Sequence, residues 1–286
     1  MLERYKNSYL CYFLMYNFYY LSWAIFSALI SIYLLDKGFK ASEVSLVVST
    51  SFLTSMIFQP VIGMFSDRYD VKKVNFVLFT LAGIGGLAFM FASSLITITI
   101  GYSFVLTLIN GTNPVMEKIA SSSPYQYGKI RIWGTIGYAT GSWLAGMIYQ
   151  LISPSAIFIC FIITMILCII GLLGTQTPSE LGQNNEEKTK TSTLFHNYKY
   201  LYYLIIAAIF QGITNMANTY IPAMFQNDGL KVSLVSTILS FAVLCEAPLV
   251  LFSHKFMDKL TNKRLLIIAY SMITIQFLCY ALNVWL

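Results

Sequence analysis

Nine apolar runs of about 18 residues or more divide this chain, and that one feature confines it to the bilayer. Their approximate bounds are Tyr9–Leu35, Val44–Phe65, Val74–Phe91, Leu95–Val115, Ile132–Ile152, Ala156–Leu173, Leu201–Phe225, Leu234–Phe252 and Leu265–Trp285. In lipid a segment of this length satisfies its own backbone as a helix, so the expected class is an all-α polytopic membrane protein. Composition agrees: charged residues are 10% of the chain against 57% hydrophobic, where a soluble domain carries about a quarter charged. The first run is too long for a cleaved signal segment and reads as an uncleaved first span.

Basic residues then set the orientation, because cytoplasmic loops collect Lys and Arg. With the N-terminus inside, fifteen of the eighteen fall in inner segments, and only Lys37, Lys40 and Lys231 lie outside. The net charge of +6 is therefore a consequence of topology and gives no reason to invoke a nucleic-acid partner. The expectation is a multi-pass plasma-membrane protein, monomeric, with its N-terminus in the cytoplasm and the lipid bilayer as its surroundings. The five cysteines all fall within spans and lack paired spacing, so they read as small packing residues. His196 and His254 are isolated, and nothing in the sequence calls for a metal, a cofactor or enzymatic catalysis.

A charged hairpin, Gly63-Met-Phe-Ser-Asp-Arg-Tyr-Asp-Val-Lys-Lys73, separates the second and third runs, and a weaker copy spans His254 to Arg264. Asp67 aligns with Asp258, 191 residues later, Lys72 with Lys263 and Lys73 with Arg264. The chain is thus a tandem repeat of a membrane unit. The hairpin resembles the G-x-x-x-D-R-x-G-R-[RK]-[RK] signature of the major facilitator superfamily, matched at Gly63, Asp67, Arg68, Lys72 and Lys73, with Asp70 and Val71 in place of a glycine and an arginine. The resemblance implies a transporter of two six-helix halves, in which Gly63, Asp67, Arg68, Lys72, Lys73 and Asp258 belong to the conformational hairpins. The organisation expected is an N-terminal six-helix half over 1–174, a polar cytoplasmic loop over 175–200, and the first three helices of a second half over 201–286. By that pattern the chain is a truncation of a twelve-helix carrier, six plus three of six plus six, and is not expected to drive proton-coupled accumulation by itself.

Three stretches narrow the resemblance to the oligosaccharide/proton symporter (lactose permease-like) group: Phe58 to Asp67, Asn110 to Glu117, and Tyr127 to Gly137. On spacing alone Asn110, Asn113 and Glu117 form one polar stripe on a helix, and Arg131, Tyr138 and Ser142 share a face of the next. A carboxylate, a forked cation and a ring suit a polyhydroxylated ligand. A salt bridge at the membrane boundary, with Lys118 and Lys129 nearby, fits the spacing equally well. The resemblance places Glu117 and Arg131 on the group's sugar-binding pair, Tyr138 on its sugar-stacking tryptophan, and Trp23 on a sugar-contacting position of the first span.

Glu246 is a second carboxyl within a span, and a group so placed can take up and release a proton, as a proton-coupled carrier requires. The resemblance puts it on the group's span-eight glutamate. Gln211, Asn215 and Asn218 make a further polar stripe, expected to face a central cavity. This chain departs from the group at Met216, Thr219, Asn215 and Gln276, which stand where lactose permease-like proteins carry two aspartates, a tyrosine and an arginine. Gly137, Gly141 and Ala145 follow the small-xxx-small pattern of close helix contact. Gln59-Pro60 is expected to break the second span locally. The function implied is symport of a small-molecule substrate, a sugar or oligosaccharide, with a proton. A carrier of a nucleoside, aromatic acid or drug, and a truncated chain that transports nothing, are the alternatives.

The basic asymmetry makes a direct prediction. A single cysteine introduced as Gly182→Cys is labelled by an impermeant thiol reagent only from the cytoplasmic side, and one introduced as Gly229→Cys only from outside. Labelling of the Gly182 variant in intact cells overturns this topology.

Overall fold

The computed structural model describes residues 6–176, 197–251 and 259–282. Most of the central loop, including Gly182 and His196, lies outside that set, as do His254, Asp258 and Trp285. The described helices are α1 (Tyr9–Ser27), α2 (Ile30–Asp36), α3 (Ala41–Arg68), α4 (Val71–Met90), α5 (Leu95–Ser121), α6 (Tyr127–Leu151), α7 (Ala156–Gly174), α8 (Tyr198–Asn227), α9 (Val232–Leu244), α10 (Glu246–Leu251) and α11 (Asn262–Ala281). Eight spans among the described residues are long and apolar enough to cross a membrane, with α1 and α2 acting as one span and α9 continuing into α10 as another. The ninth run expected from sequence is α6, a 25-residue helix that misses that mark because glycines and small polar residues such as Thr135, Thr140 and Ser142 make it less apolar than the others.

Proline decides one break and not another. α3 runs through Pro60 without interruption, so the expected break at Gln59-Pro60 does not occur. Pro248, by contrast, follows the interruption at Cys245 that separates α9 from α10. A proline cannot donate to the carbonyl four residues back, here that of Leu244, and its ring crowds that carbonyl. The hairpin between α3 and α4 is capped by Asp70, whose Oδ1 accepts from the Lys73 backbone N–H at 3.0 Å. The aspartate in place of the signature's glycine therefore starts the next helix.

Two compact units divide the chain. The first comprises residues 1–188 and 217–247, and α1 lies at its centre, packed chiefly on α6 and α7. Cys11, Tyr12, Met15, Tyr16, Tyr19, Ala24 and Ile25 on α1 are fully buried. Beside them Phe26, Tyr33, Phe89, Tyr102, Phe158 and Phe161 form one aromatic cluster, with ring centroids 4.9–6.2 Å apart in its contacting pairs. Glycines allow the close approach of helices: a Cβ at Gly137 would run into the Asn17 carbonyl, one at Gly141 would meet the Leu21 carbonyl oxygen at 2.5 Å, and one at Gly171 would strike the Met15 backbone. The small-xxx-small stripe thus packs α6 on α1.

At the end of this unit reached by Asp36, α6 and α9 meet through Gly146 and Ser236, and the Ser233 backbone N–H donates to Gln150 Oε1 at 2.9 Å. Asp36 accepts from the Tyr149 hydroxyl at 2.5 Å and from Gln226 Nε2 at 3.1 Å, and Ser31 donates to the Thr219 carbonyl at 2.6 Å. The second unit comprises residues 189–216 and 248–286. Within it the Tyr270 hydroxyl of α11 donates to the Ile206 carbonyl of α8, and Phe210 meets Tyr270 edge-on at 5.1 Å.

Because the α1–α6 contact leaves no room for a methyl group, Gly137→Ala is expected to cost about 1–3 kcal/mol of stability. Gly212→Ala, at a helical site with nothing within 4 Å, is expected to be neutral or to stabilise by up to about 1 kcal/mol. Thermal unfolding in detergent checks both, and a Gly137→Ala chain as stable as the parent contradicts the packing.

Candidate functional site

The sequence stripe on α5 divides between two neighbours. Asn110 turns to α3 and donates from Nδ2 to Ser55 Oγ at 3.0 Å, whereas Asn113 donates to the Tyr20 hydroxyl of α1 at 3.2 Å. Glu117, one turn further, is held by three phenols. Its Oε1 accepts from Tyr16 at 2.7 Å and from Tyr20 at 2.8 Å, and its Oε2 accepts from Tyr127 at 2.7 Å. Arg131 comes from the second turn of α6 and brings Nε to 4.0 Å from Glu117 Oε1, an ion pair without a direct hydrogen bond. Its guanidinium lies over the Tyr20 ring, 5.6 Å from the centroid. Both charged side chains keep 31% of their surface, while the neighbouring Lys118 and Lys129 are exposed.

Local structure explains the convergence. Tyr16, Tyr20 and Trp23 recur at i, i+4 and i+7, which lines one face of α1, and Trp23 stacks on Tyr20 at 5.9 Å. The head of α6 is tied to α1 by Asn17 Nδ2 donating to the Trp133 carbonyl at 3.0 Å, by Trp133 Nε1 donating to the Tyr9 hydroxyl at 2.7 Å, and by that hydroxyl donating to the Lys129 carbonyl at 2.8 Å. These bonds fix the two turns that carry Tyr127 and Arg131. Two turns beyond Arg131, Tyr138 is half-buried within reach of the Ser27 hydroxyl. Glu246, the first residue of α10, lies within electrostatic range of both Arg131 and Tyr138.

The structure therefore brings together Glu117, Arg131, Trp23 and Asn113 about Tyr20, with Glu246 in electrostatic range of Arg131 and of Tyr138 two turns further along α6. Asn218 is exposed on α8 within the same unit, and Asn215 belongs to the second unit. Gly63, Asp67, Arg68, Lys72 and Lys73 sit at the α3–α4 hairpin, where Asp67 and Arg68 are exposed and a Cβ at Gly63 would meet open space. The repeated Asp258 lies outside the described residues. Among the described residues no cluster of three or more His, Cys, Asp or Glu is placed to hold a metal. Sequence reasoning missed Tyr16, Tyr20 and Tyr127. The signal for the first two was their helical spacing with Trp23, hidden because tyrosine is so abundant here, with 20 in the chain.

Family comparison matches the Major Facilitator Superfamily model over residues 12–286. The chain belongs to the major facilitator superfamily. Its relatives include the uncharacterized transporter YwbF of Bacillus subtilis (strain 168), 25% identical over 255 residues, covering 86% of this chain and 63% of that one. The probable 3-phenylpropionic acid transporter of Escherichia coli (strain K12) is 21% identical, covering 88% of this chain and 68% of that one. The sucrose permease of Escherichia coli is also 21% identical, covering 99% of this chain and 74% of the permease. This chain thus spans under two thirds of YwbF's length. Among solved structures, the nucleoside transporter NupG superposes with a TM-score of 0.68 at 18% identity, over 88% of this chain and 68% of that one. These findings make the protein a multi-pass membrane protein of the major facilitator fold.

Proposed function

We propose that this protein carries a small polar solute, a sugar or oligosaccharide, across the membrane in symport with a proton. The observation that carries the reading is the placement of Glu117 and Arg131 4.0 Å apart, each about one-third exposed, beside the rings of Tyr20 and Trp23. A carboxylate and a guanidinium exchange hydrogen bonds with several hydroxyls at once, and the rings pack on a sugar's apolar face. Kinship with sucrose, raffinose, maltose, melibiose and lactose permeases supports the same class. In this reading Tyr138, Trp23, Asn113, Asn215 and Asn218 line the path of the solute. Glu246 takes the proton, and its electrostatic reach to Arg131 joins protonation to binding.

The same reading puts the N-terminus in the cytoplasm of a plasma-membrane protein. The end closed by Asp36, Tyr149 and Gln226 is then extracellular, and the Gly63, Asp67, Arg68, Lys72, Lys73 and Asp258 hairpins act on the cytoplasmic side as the halves rock. One observation favours a second reading: the Arg131 fork makes no hydrogen bond among the described residues, whereas Glu117 is already well supplied. A carboxylate ligand such as an aromatic acid satisfies that fork alone.

Binding of labelled sucrose, maltose and 3-phenylpropionate to membranes containing the chain separates these readings. For a sugar, Glu117→Gln and Arg131→Lys each weaken binding at least about tenfold, because glutamine loses the carboxylate charge and lysine loses the guanidinium fork that hydroxyls use. Selective 3-phenylpropionate binding that Glu117→Gln leaves intact favours the acid. Sugar binding unchanged in both variants reduces the pair to a boundary salt bridge and removes the proposal.

A further inference from the structure

A carboxylate offers roughly four acceptor positions, two on each oxygen. At Glu117 three are occupied: Oε1 by the Tyr16 and Tyr20 hydroxyls and Oε2 by that of Tyr127. A solute that presents two adjacent hydroxyls needs two acceptor positions, so one phenol must withdraw. The three phenols are not equally free to do so. Tyr16 is fully buried, and Tyr20 is fixed by the Asn113 bond, the Trp23 stack and the Arg131 guanidinium. Tyr127 is the first residue of α6, 42% exposed, and its hydroxyl sits on the oxygen that has room for a second donor.

We propose that the Tyr127 hydroxyl is a built-in stand-in for a substrate hydroxyl: it occupies Glu117 Oε2 in the empty carrier, is displaced when the solute binds, and so sets how many and which solute hydroxyls gain the carboxylate. Tyr16 and Tyr20 are positioning residues that hold Oε1 and the carboxylate plane in place. The idea rests on the reading of Glu117 as a sugar-binding group. It makes two phenols on one carboxylate act in opposite senses, which a purely structural role for the cluster does not.

The experiment measures equilibrium binding of labelled sucrose, maltose and melibiose to membranes carrying the full chain, with membrane abundance as the folding control. Tyr127→Phe, which keeps the ring and removes the competitor, is expected to tighten binding of the accepted sugar about three- to tenfold, the scale of one net hydrogen bond. Tyr16→Phe is expected to weaken it by a similar factor. In a chain that also carries Glu117→Gln the gain from Tyr127→Phe disappears. Unchanged or weaker binding by Tyr127→Phe, in a protein whose binding Glu117→Gln abolishes, overturns the stand-in and leaves the sugar site intact. Binding of none of the three sugars by the parent chain, or binding indifferent to Glu117→Gln, overturns the site reading and this inference with it.

Discussion

The carboxylate of Glu117 is the point on which α1, α5 and α6 close. A charge in an apolar bundle is costly unless it is hydrogen-bonded and paired, and both conditions are met by groups from other segments. Two phenols come from α1, one phenol and a guanidinium from the head of α6, and the acid itself from near the end of α5. Hydrogen bonds to an ion are worth about 1.5–3 kcal/mol each, so three of them bind α1, α5 and the start of α6 more firmly than any contact of similar size in the apolar interior. The geometry of the cluster and the register of the three helices are consequently one problem with one solution.

That convergence is possible only because the helices approach closely elsewhere. Gly137 and Gly141 let α6 rest on the carbonyls of α1, and Gly171 does the same for α7. In lipid there is no hydrophobic gain from bringing apolar helices together, so small residues and polar ties carry the association. The opposite end of the unit repeats the device with a second carboxylate, Asp36, tied to Tyr149 and Gln226. Here the ties link segments from before and after the central loop. A handful of hydrogen bonds and one glycine contact amount to a few kcal/mol.

Spans and fold class were legible because apolar length is imposed by bilayer thickness, and the bilayer leaves the backbone few choices. The charged pair was legible as well: a Glu and an Arg near the ends of successive apolar runs stand out against 10% charge. Pairing at Glu117 was not, since a phenol among 20 tyrosines carries no mark of its partner. The stripe of Asn110, Asn113 and Glu117 was correct as a periodicity, yet its members split between α3 and α1, because a helix in a bundle has neighbours on more than one side. Pro60 and Pro248 look alike in sequence and differ in outcome. Periodicity and residue type specify faces, while contacts between helices decide which departures are tolerated.

Glu246 shows how such a local departure reaches the site. The interruption at Cys245 makes Glu246 the first residue of α10, free of the continuous ladder that would fix its direction by the turns before it. Pro248 leaves the Leu244 carbonyl without its usual donor, and the exposed Cys245 and Glu246 follow it in a span that is otherwise apolar. The break at Cys245 therefore helps set where the Glu246 carboxyl stands relative to the guanidinium on α6, within whose electrostatic range it lies.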